Sequence, residues 1–211
     1  MKVVAFNGSP HKEGNTFHSL QVVGQELTAA GIEFEIVQVG SSSLRGCTAC
    51  NGCARNKNEQ CVLPGDELNS WIQKLKEADG ILLGSPVHYA GIGATMKCFL
   101  DRAFYVAGVN GGLLRHKVGA SVVAVRRSGG SSTFDALNHY ITYSEMLLPG
   151  SNYWNIAHGT TPGEVLQDEE GLQLLRVLGR NMAWLLKSLD AANNLVPPPA
   201  AEKKIFTNFI R

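Results

Sequence analysis

The sequence predicts an α/β protein: a doubly wound, five-stranded parallel sheet between two helical layers, three layers deep as α/β/α. Three observations predict it. Apolar runs of strand length alternate with stretches whose apolar residues recur every three or four positions, as in a parallel sheet covered on both faces. The most apolar run, Val118 to Val125, has no polar alternation, as a strand buried on both faces requires. Glycine-rich turns follow the first, third and fourth runs, at the edge where such sheets hold their ligands.

Lys2 to Phe6 reads as the first strand. Thr16 to Ala30 follows as a helix, with Phe17, Leu20, Val23 and Leu27 on one face and Gly31 as its stop. Phe34 to Val39 is the second strand. Asp66 caps a helix running to Glu77, and Asp79 to Gly84 forms the third strand around Ile81-Leu82-Leu83. Thr95 to Val106 is helical, and Lys117 to Val125 is the fourth strand, placed inside the sheet. Phe134 to Met146 and Glu169 to Leu189 are helices, with a short fifth strand at Tyr153 to Ala157 between them. Beyond Ala191 the chain turns polar, meets Pro197-Pro198-Pro199, and ends in Ile205-Phe206-Thr207-Asn208-Phe209-Ile210, whose apolar residues have no periodic partner. We expect one domain over residues 1–190 with a Cys-rich insertion at 46–65. Residues 191–211 are expected to form a tail packing on that domain or on a neighbouring subunit.

Composition narrows the function classes. A chain of 211 residues suits a single domain with a real core. Nineteen Lys and Arg against 18 Asp and Glu leave a net charge of +1, so no overall field attracts nucleic acid or an acidic membrane. The opening Met1-Lys2-Val3-Val4-Ala5-Phe6 is too short an apolar stretch for a signal peptide, and no run approaches the ~20 apolar residues of a membrane span. A cytoplasmic protein is expected. Four of the five cysteines, Cys47, Cys50, Cys53 and Cys61, crowd into fifteen positions, which suggests metal rather than a disulfide framework.

The first turn, Gly8-Ser9-Pro10-His11-Lys12-Glu13-Gly14-Asn15-Thr16, joins a strand to a helix, so free N–H groups and the positive helix end converge on an anion site. Gly14 is followed by Asn15 rather than the lysine of a nucleoside-triphosphate loop, which argues against ATP and GTP. The dinucleotide fingerprint is missing too. The second strand ends Gln38-Val39-Gly40 without an acidic residue for a ribose, so a resident NAD is not expected. What is left suits the single phosphate of a mononucleotide, although the same residues also serve in ordinary turns and caps.

In the strand order 2-1-3-4-5, strands one and three are neighbours, and the turn Gly84-Ser85-Pro86-Val87-His88-Tyr89-Ala90-Gly91-Ile92 opens onto the same crevice. Pro86 and Val87 offer an apolar ledge, while His88 and Tyr89 offer flat side chains, the surroundings of a planar ring such as a flavin. After the fourth strand, Arg126-Arg127-Ser128-Gly129-Gly130-Ser131-Ser132 gives a third turn. The N–H groups of Ser128, Gly129 and Gly130 are candidates for the ring's pyrimidine oxygens.

The segments GSPHKEGNT and GSPVHYAGIGATMKCFLDR, with the cysteine cluster between them, resemble the NADPH-dependent FMN reductase family, and within it the iron-sulfur flavoproteins. The likeness covers roughly residues 1 to 135 and weakens beyond. It implies a flavodoxin-like fold, FMN at the two loops, and assembly as a homodimer or homotetramer. It also implies electron passage from NAD(P)H or a ferredoxin-like protein to a small-molecule acceptor. Ser9, His11, Gly14, Asn15 and Thr16 would hold the phosphate and Pro86 to Tyr89 would flank the ring. Two positions depart from the family: His11 stands where arginine is usual, which weakens charge pairing with a phosphate, and His88 where tyrosine is frequent.

Cys47-x-x-Cys50-x-x-Cys53-x7-Cys61 can wrap an iron-sulfur cubane, and the resembling family uses such a compact motif for a [4Fe-4S] cluster. Zinc, or thiols without metal, are the other readings of the same spacing. Cys98, beside Phe99 on a helix, is expected to be a buried free thiol. A non-enzymatic flavodoxin-like electron carrier is the alternative function. The balanced charge disfavours it, because such carriers dock through strongly acidic faces.

Overall fold

A computed structural model describes residues 1–193 and 195–207. Its main sheet is parallel in the order β2-β1-β3-β5-β6, from β1 (Lys2–Asn7), β2 (Glu33–Gln38), β3 (Gly80–His88), β5 (Val118–Val125) and β6 (Ile156–His158). The two-residue β4 (Gly91–Ile92) pairs antiparallel with the end of β3 and stands off this path. With β4 set aside, the order is the expected 2-1-3-4-5. Val118 to Val125 is buried at every position and lies inside the sheet.

Helices α1 (Asn15–Ala29) and α6 (Glu169–Ala192) cover one face; α3 (Leu68–Glu77), α4 (Ala94–Val109) and α5 (Gly130–Tyr143) cover the other. Side chains alternate across each strand, so β1 sends Val3 and Ala5 to the first face and Val4 and Phe6 to the second. Phe6 stacks on Phe99 of α4 at 4.8 Å between ring centroids, and Trp71 of α3 meets Phe99 edge-on at 5.8 Å. Each buried aromatic there contributes ~1.5–3 kcal/mol of transfer free energy. A Cβ on Gly179 would sit 2.9 Å from the Val23 carbonyl, so this glycine lets α6 lie close to α1.

Some boundaries differ from expectation. The helix predicted from Asp66 starts at Leu68, because the Asp66 carboxylate accepts the Leu68 N–H at 3.2 Å and holds the preceding turn. The last strand lies at Ile156–His158 rather than Tyr153–Ala157, leaving Tyr153 and Trp154 exposed. A short helix, α2 (Gly52–Asn56), forms inside the cysteine segment, where a five-residue element is too brief to leave a periodic pattern. Cys98 is half-buried, not buried. In the tail, Lys204 reaches α5, its Nζ donating to the Tyr143 hydroxyl at 2.9 Å, while Ile205 and Phe206 are exposed. Phe209 and Ile210, part of the expected apolar end, lie outside the described residues. Among the described residues, no helix is long and apolar enough to cross a membrane.

Candidate flavin crevice and cysteine hollow

The first loop is built on Asn7, the fully buried last residue of β1. Its Oδ1 accepts the Ser9 N–H at 3.1 Å, and its Nδ2 donates to Gln38 Oε1 at 2.7 Å. Gln38 completes the tie by donating from Nε2 to the Ser9 carbonyl at 2.7 Å. The residue that stood where a ribose-binding acid was sought thus braces the loop from below. Gly40 must be glycine there, since a Cβ would fall 2.2 Å from the Ser9 carbonyl oxygen.

Above that brace the start of α1 is open. Gly14 occupies its N-cap with no capping side chain, and the first turn carries no acid. His18 N–H makes the first helical bond, to Gly14 O, so the amides before it are free to face an anion. Thr16 Oγ1 is buried and has no hydrogen-bond partner among the described residues. Leaving such a hydroxyl unpaired costs ~1–3 kcal/mol, and a phosphate oxygen would satisfy it. The buried Ser9 hydroxyl accepts the His11 N–H at 3.1 Å and keeps its own proton to donate. His11 is exposed, and Asn15 is half-buried, with its Oδ1 accepting the Val165 N–H at 3.3 Å.

The second loop lies against the first. Gly8 N–H donates to the Gly84 carbonyl at 2.8 Å, and a Cβ on Gly84 would touch Thr16 Cγ2 at 3.1 Å. Fully buried Ser85 then fixes the strand end, accepting the Gly93 N–H at 3.0 Å. The expected loop is a hairpin: β3 runs on to His88, turns at Tyr89 and Ala90, and returns as β4. Both turn residues have positive φ, 49° and 58°, the geometry of a tight hairpin turn achieved without glycine. Pro86 and Val87 are half-buried along its flank, His88 is exposed, and Tyr89 stands wholly exposed at the tip.

The third loop supports the hairpin. Gly129, at φ +88°, passes beneath it so closely that a Cβ would lie 2.6 Å from Ala90 Cα and 3.0 Å from Val87 Cγ1. Ser132 Oγ donates to the Ala90 carbonyl at 2.7 Å. Gly130 then opens α5 with no capping side chain, while Ser128 is exposed. All three loops are therefore brought together at the carboxyl edge of the sheet. Beside them is a cavity of about 290 Å³ between Ser128–Ser131, Tyr153, Trp154 and His158; its third-loop wall was expected from the sequence, whereas Tyr153, Trp154 and His158 were not.

The four clustered cysteines line one hollow of about 20 Å³ on the α3/α4 side. Cys47 and Cys50 are exposed, Cys53 is buried and Cys61 is half-buried. Ala49, Asn51, Lys57 and Glu59 all take left-handed φ values, so backbone strain gathers in this segment. Cys61 is fixed by Asn69, which accepts its N–H at 2.8 Å and donates to its carbonyl at 3.0 Å. The Gly52 N–H, then the Thr48 hydroxyl, draw the Cys50 thiol below its ordinary pKa; burial pushes the Cys53 thiol up. Buried Arg102, missed in the sequence, comes from α4 to Cys61 Sγ at 3.4 Å and pairs with Asp66 at 2.5 Å. Its position was legible: it stands among Phe99, Ala103 and Val106, where an apolar residue belongs. Among the described residues, no three His, Cys, Asp or Glu side chains are grouped to hold a single metal ion.

Sheet order, with three loops meeting at the carboxyl edge, defines a flavodoxin-like α/β protein. A flavodoxin from the domain Archaea has the same fold at a TM-score of 0.58, with 17% identity over 89% of this chain and 99% of that one. So does an NAD(P)H:quinone oxidoreductase from Methanothermobacter marburgensis, at a TM-score of 0.63 and 17% identity over 86% of this chain and 96% of its own. Residues 1–161 match the NADPH-dependent FMN reductase family, and the chain belongs to that family of FMN-binding oxidoreductases. A relative from Methanocaldococcus jannaschii, 33% identical over 194 residues, covers 89% of this chain and 98% of its own length; it is named an iron-sulfur flavoprotein.

Proposed function

We propose that this chain is an FMN-dependent oxidoreductase that takes electrons from NAD(P)H or a ferredoxin-like protein and passes them to a small-molecule acceptor. The observation that carries the reading is the buried, unpaired Thr16 hydroxyl at the uncapped start of α1, in a loop hydrogen-bonded directly to the end of β3. The amides of Asn15 and Thr16 and the hydroxyls of Ser9 and Thr16 would bind the phosphate, with the exposed His11 and Lys12 of the same loop able to supply charge. Pro86 and Val87 carry the ring on their apolar flank, and the amides of Ser128, Gly129 and Gly130 favour negative charge on its pyrimidine side. FMN, when bound, supplies the hydride and single-electron chemistry, so no side-chain acid or base is required.

In the same reading Cys47, Cys50, Cys53 and Cys61 hold a [4Fe-4S] cluster that relays single electrons. The name of the Methanocaldococcus relative and the shared hollow support this. The hollow as folded has room for little more than a water molecule, so a cluster would need a wider hollow than the one these four cysteines line here. Residues 1–190 form the flavin unit, in a homodimer or homotetramer, with 191–211 as its tail.

Anaerobic purification followed by a visible spectrum tests the reading. Flavin bands that bleach on adding NADPH or NADH are expected for the enzyme. Bands that bleach only with a reduced protein donor would favour the carrier alternative, and a colourless protein indifferent to FMN would remove both. Cys53→Ala is expected to abolish iron uptake while sparing FMN; full iron content would take Cys53 out of the ligand set.

A further inference from the structure

We propose that Arg102 sets the charge of the cysteine hollow: its fixed guanidinium stabilises negative charge gathered on the thiolates, and Asp66 limits how much of that positive charge they feel. The inference rests on the cluster reading and adds to it a residue that is not a ligand.

Arg102 has a fully enclosed side chain. Its Nη1 donates to Asp66 Oδ2 at 2.5 Å and to the Arg45 carbonyl at 3.3 Å. Its Nη2 is shared among Cys61 Sγ at 3.4 Å, Asp66 Oδ1 at 3.4 Å and the Leu63 carbonyl at 3.5 Å. Its Nε is buried without a partner among the described residues, and the side chain lines the hollow with the four cysteines.

An ion pair whose only task was to hold α4 against the Asp66 turn would be replaceable by apolar residues of similar size, often without loss. This pair keeps a guanidinium N–H in reserve and gives another to a sulfur. Four thiolates around an iron-sulfur cubane carry excess negative charge, which every added electron increases. A buried cation beside one ligand sulfur therefore favours the reduced state, and hydrogen bonds to the sulfur act in the same direction. Asp66 opposes both. The two residues must then shift the potential in opposite directions, which a purely structural pair would not do.

The test uses full-length protein, FMN-loaded and anaerobically reconstituted with iron and sulfide, with the cluster midpoint followed by electron paramagnetic resonance during a dye-mediated redox titration. Arg102→Met is expected to lower the midpoint, Arg102→Lys to fall between it and wild type, and Asp66→Asn to raise it. The flavin midpoint should stay in place throughout. Equal cluster midpoints in all loaded variants would overturn the inference while leaving the cluster reading intact. If Arg102→Met does not fold or take up iron, Asp66→Asn decides alone: an upward shift supports the role and an unmoved midpoint overturns it. Wild-type protein that takes up no iron would overturn the cluster reading, and this inference with it.

Discussion

Asn7 and Gln38 are joined side chain to side chain at 2.7 Å beneath the first loop, each also holding the Ser9 backbone, Asn7 at its N–H and Gln38 at its carbonyl. The ends of two neighbouring strands thus set the height and tilt of the loop before any ligand arrives. Gln38→Ala removes one partner of a fully buried carboxamide, leaving its Nδ2 the longer bond to the Lys12 carbonyl at 3.3 Å, and frees the Ser9 carbonyl. With ~1 kcal/mol per lost hydrogen bond, FMN affinity is expected to fall about tenfold, read by quenching of flavin fluorescence. Unchanged affinity would mean that the brace does not shape the phosphate site.

Asn15→Asp separates fold from binding. The carboxylate keeps an acceptor for the Val165 N–H and sits at a helix start with no other acid, where a negative charge is favourable by ~0.3–1 kcal/mol. The ligand-free protein should therefore melt at the same temperature or slightly higher, while FMN affinity drops because the new charge repels the phosphate. Parallel loss of both would indicate that Asn15 acts only as a structural tie.

Gly129→Ala tests the third loop. An alanine at φ +88° with its Cβ 2.6 Å from Ala90 Cα must displace the hairpin, and such backbone strain costs ~1–3 kcal/mol. A lower melting temperature with weaker FMN binding is expected from calorimetry and titration. A fall in melting temperature alone would place the ring away from Val87 and Ala90.

The thiols of the metal-free protein should differ in reactivity. A lowered Cys50 pKa means more thiolate near neutral pH, and a raised Cys53 pKa means less. Alkylation followed by mass spectrometry should label Cys50 first, with Cys53 catching up as pH rises toward and past its ordinary value. Equal rates across that range would show that the Gly52 amide does not stabilise the Cys50 thiolate.

The sheet and its long helices were legible because burial on both faces forces continuous apolar runs such as Val118 to Val125, and packing forces the stripe Phe17, Leu20, Val23, Leu27. The crevice was legible as three turns at one sheet edge. Its interior was not. Tyr89 and Ala90 adopt positive φ in a hairpin that neither residue type favours, so the second loop read as irregular. Gln38 looked like an absent acid rather than a brace, because a side chain's partner two strand ends away leaves no local pattern. Arg102 did leave one, a charge on an apolar helix face, but its partners Asp66 and Cys61 become neighbours only after α4 folds over the cysteine segment.

If the first loop grips a phosphate, FMN and riboflavin, which differ only in that group, must bind with different strength. Several charge-assisted hydrogen bonds of ~1.5–3 kcal/mol each predict that FMN binds at least about a hundredfold more tightly. Equal dissociation constants would contradict the claim and move the flavin away from the start of α1.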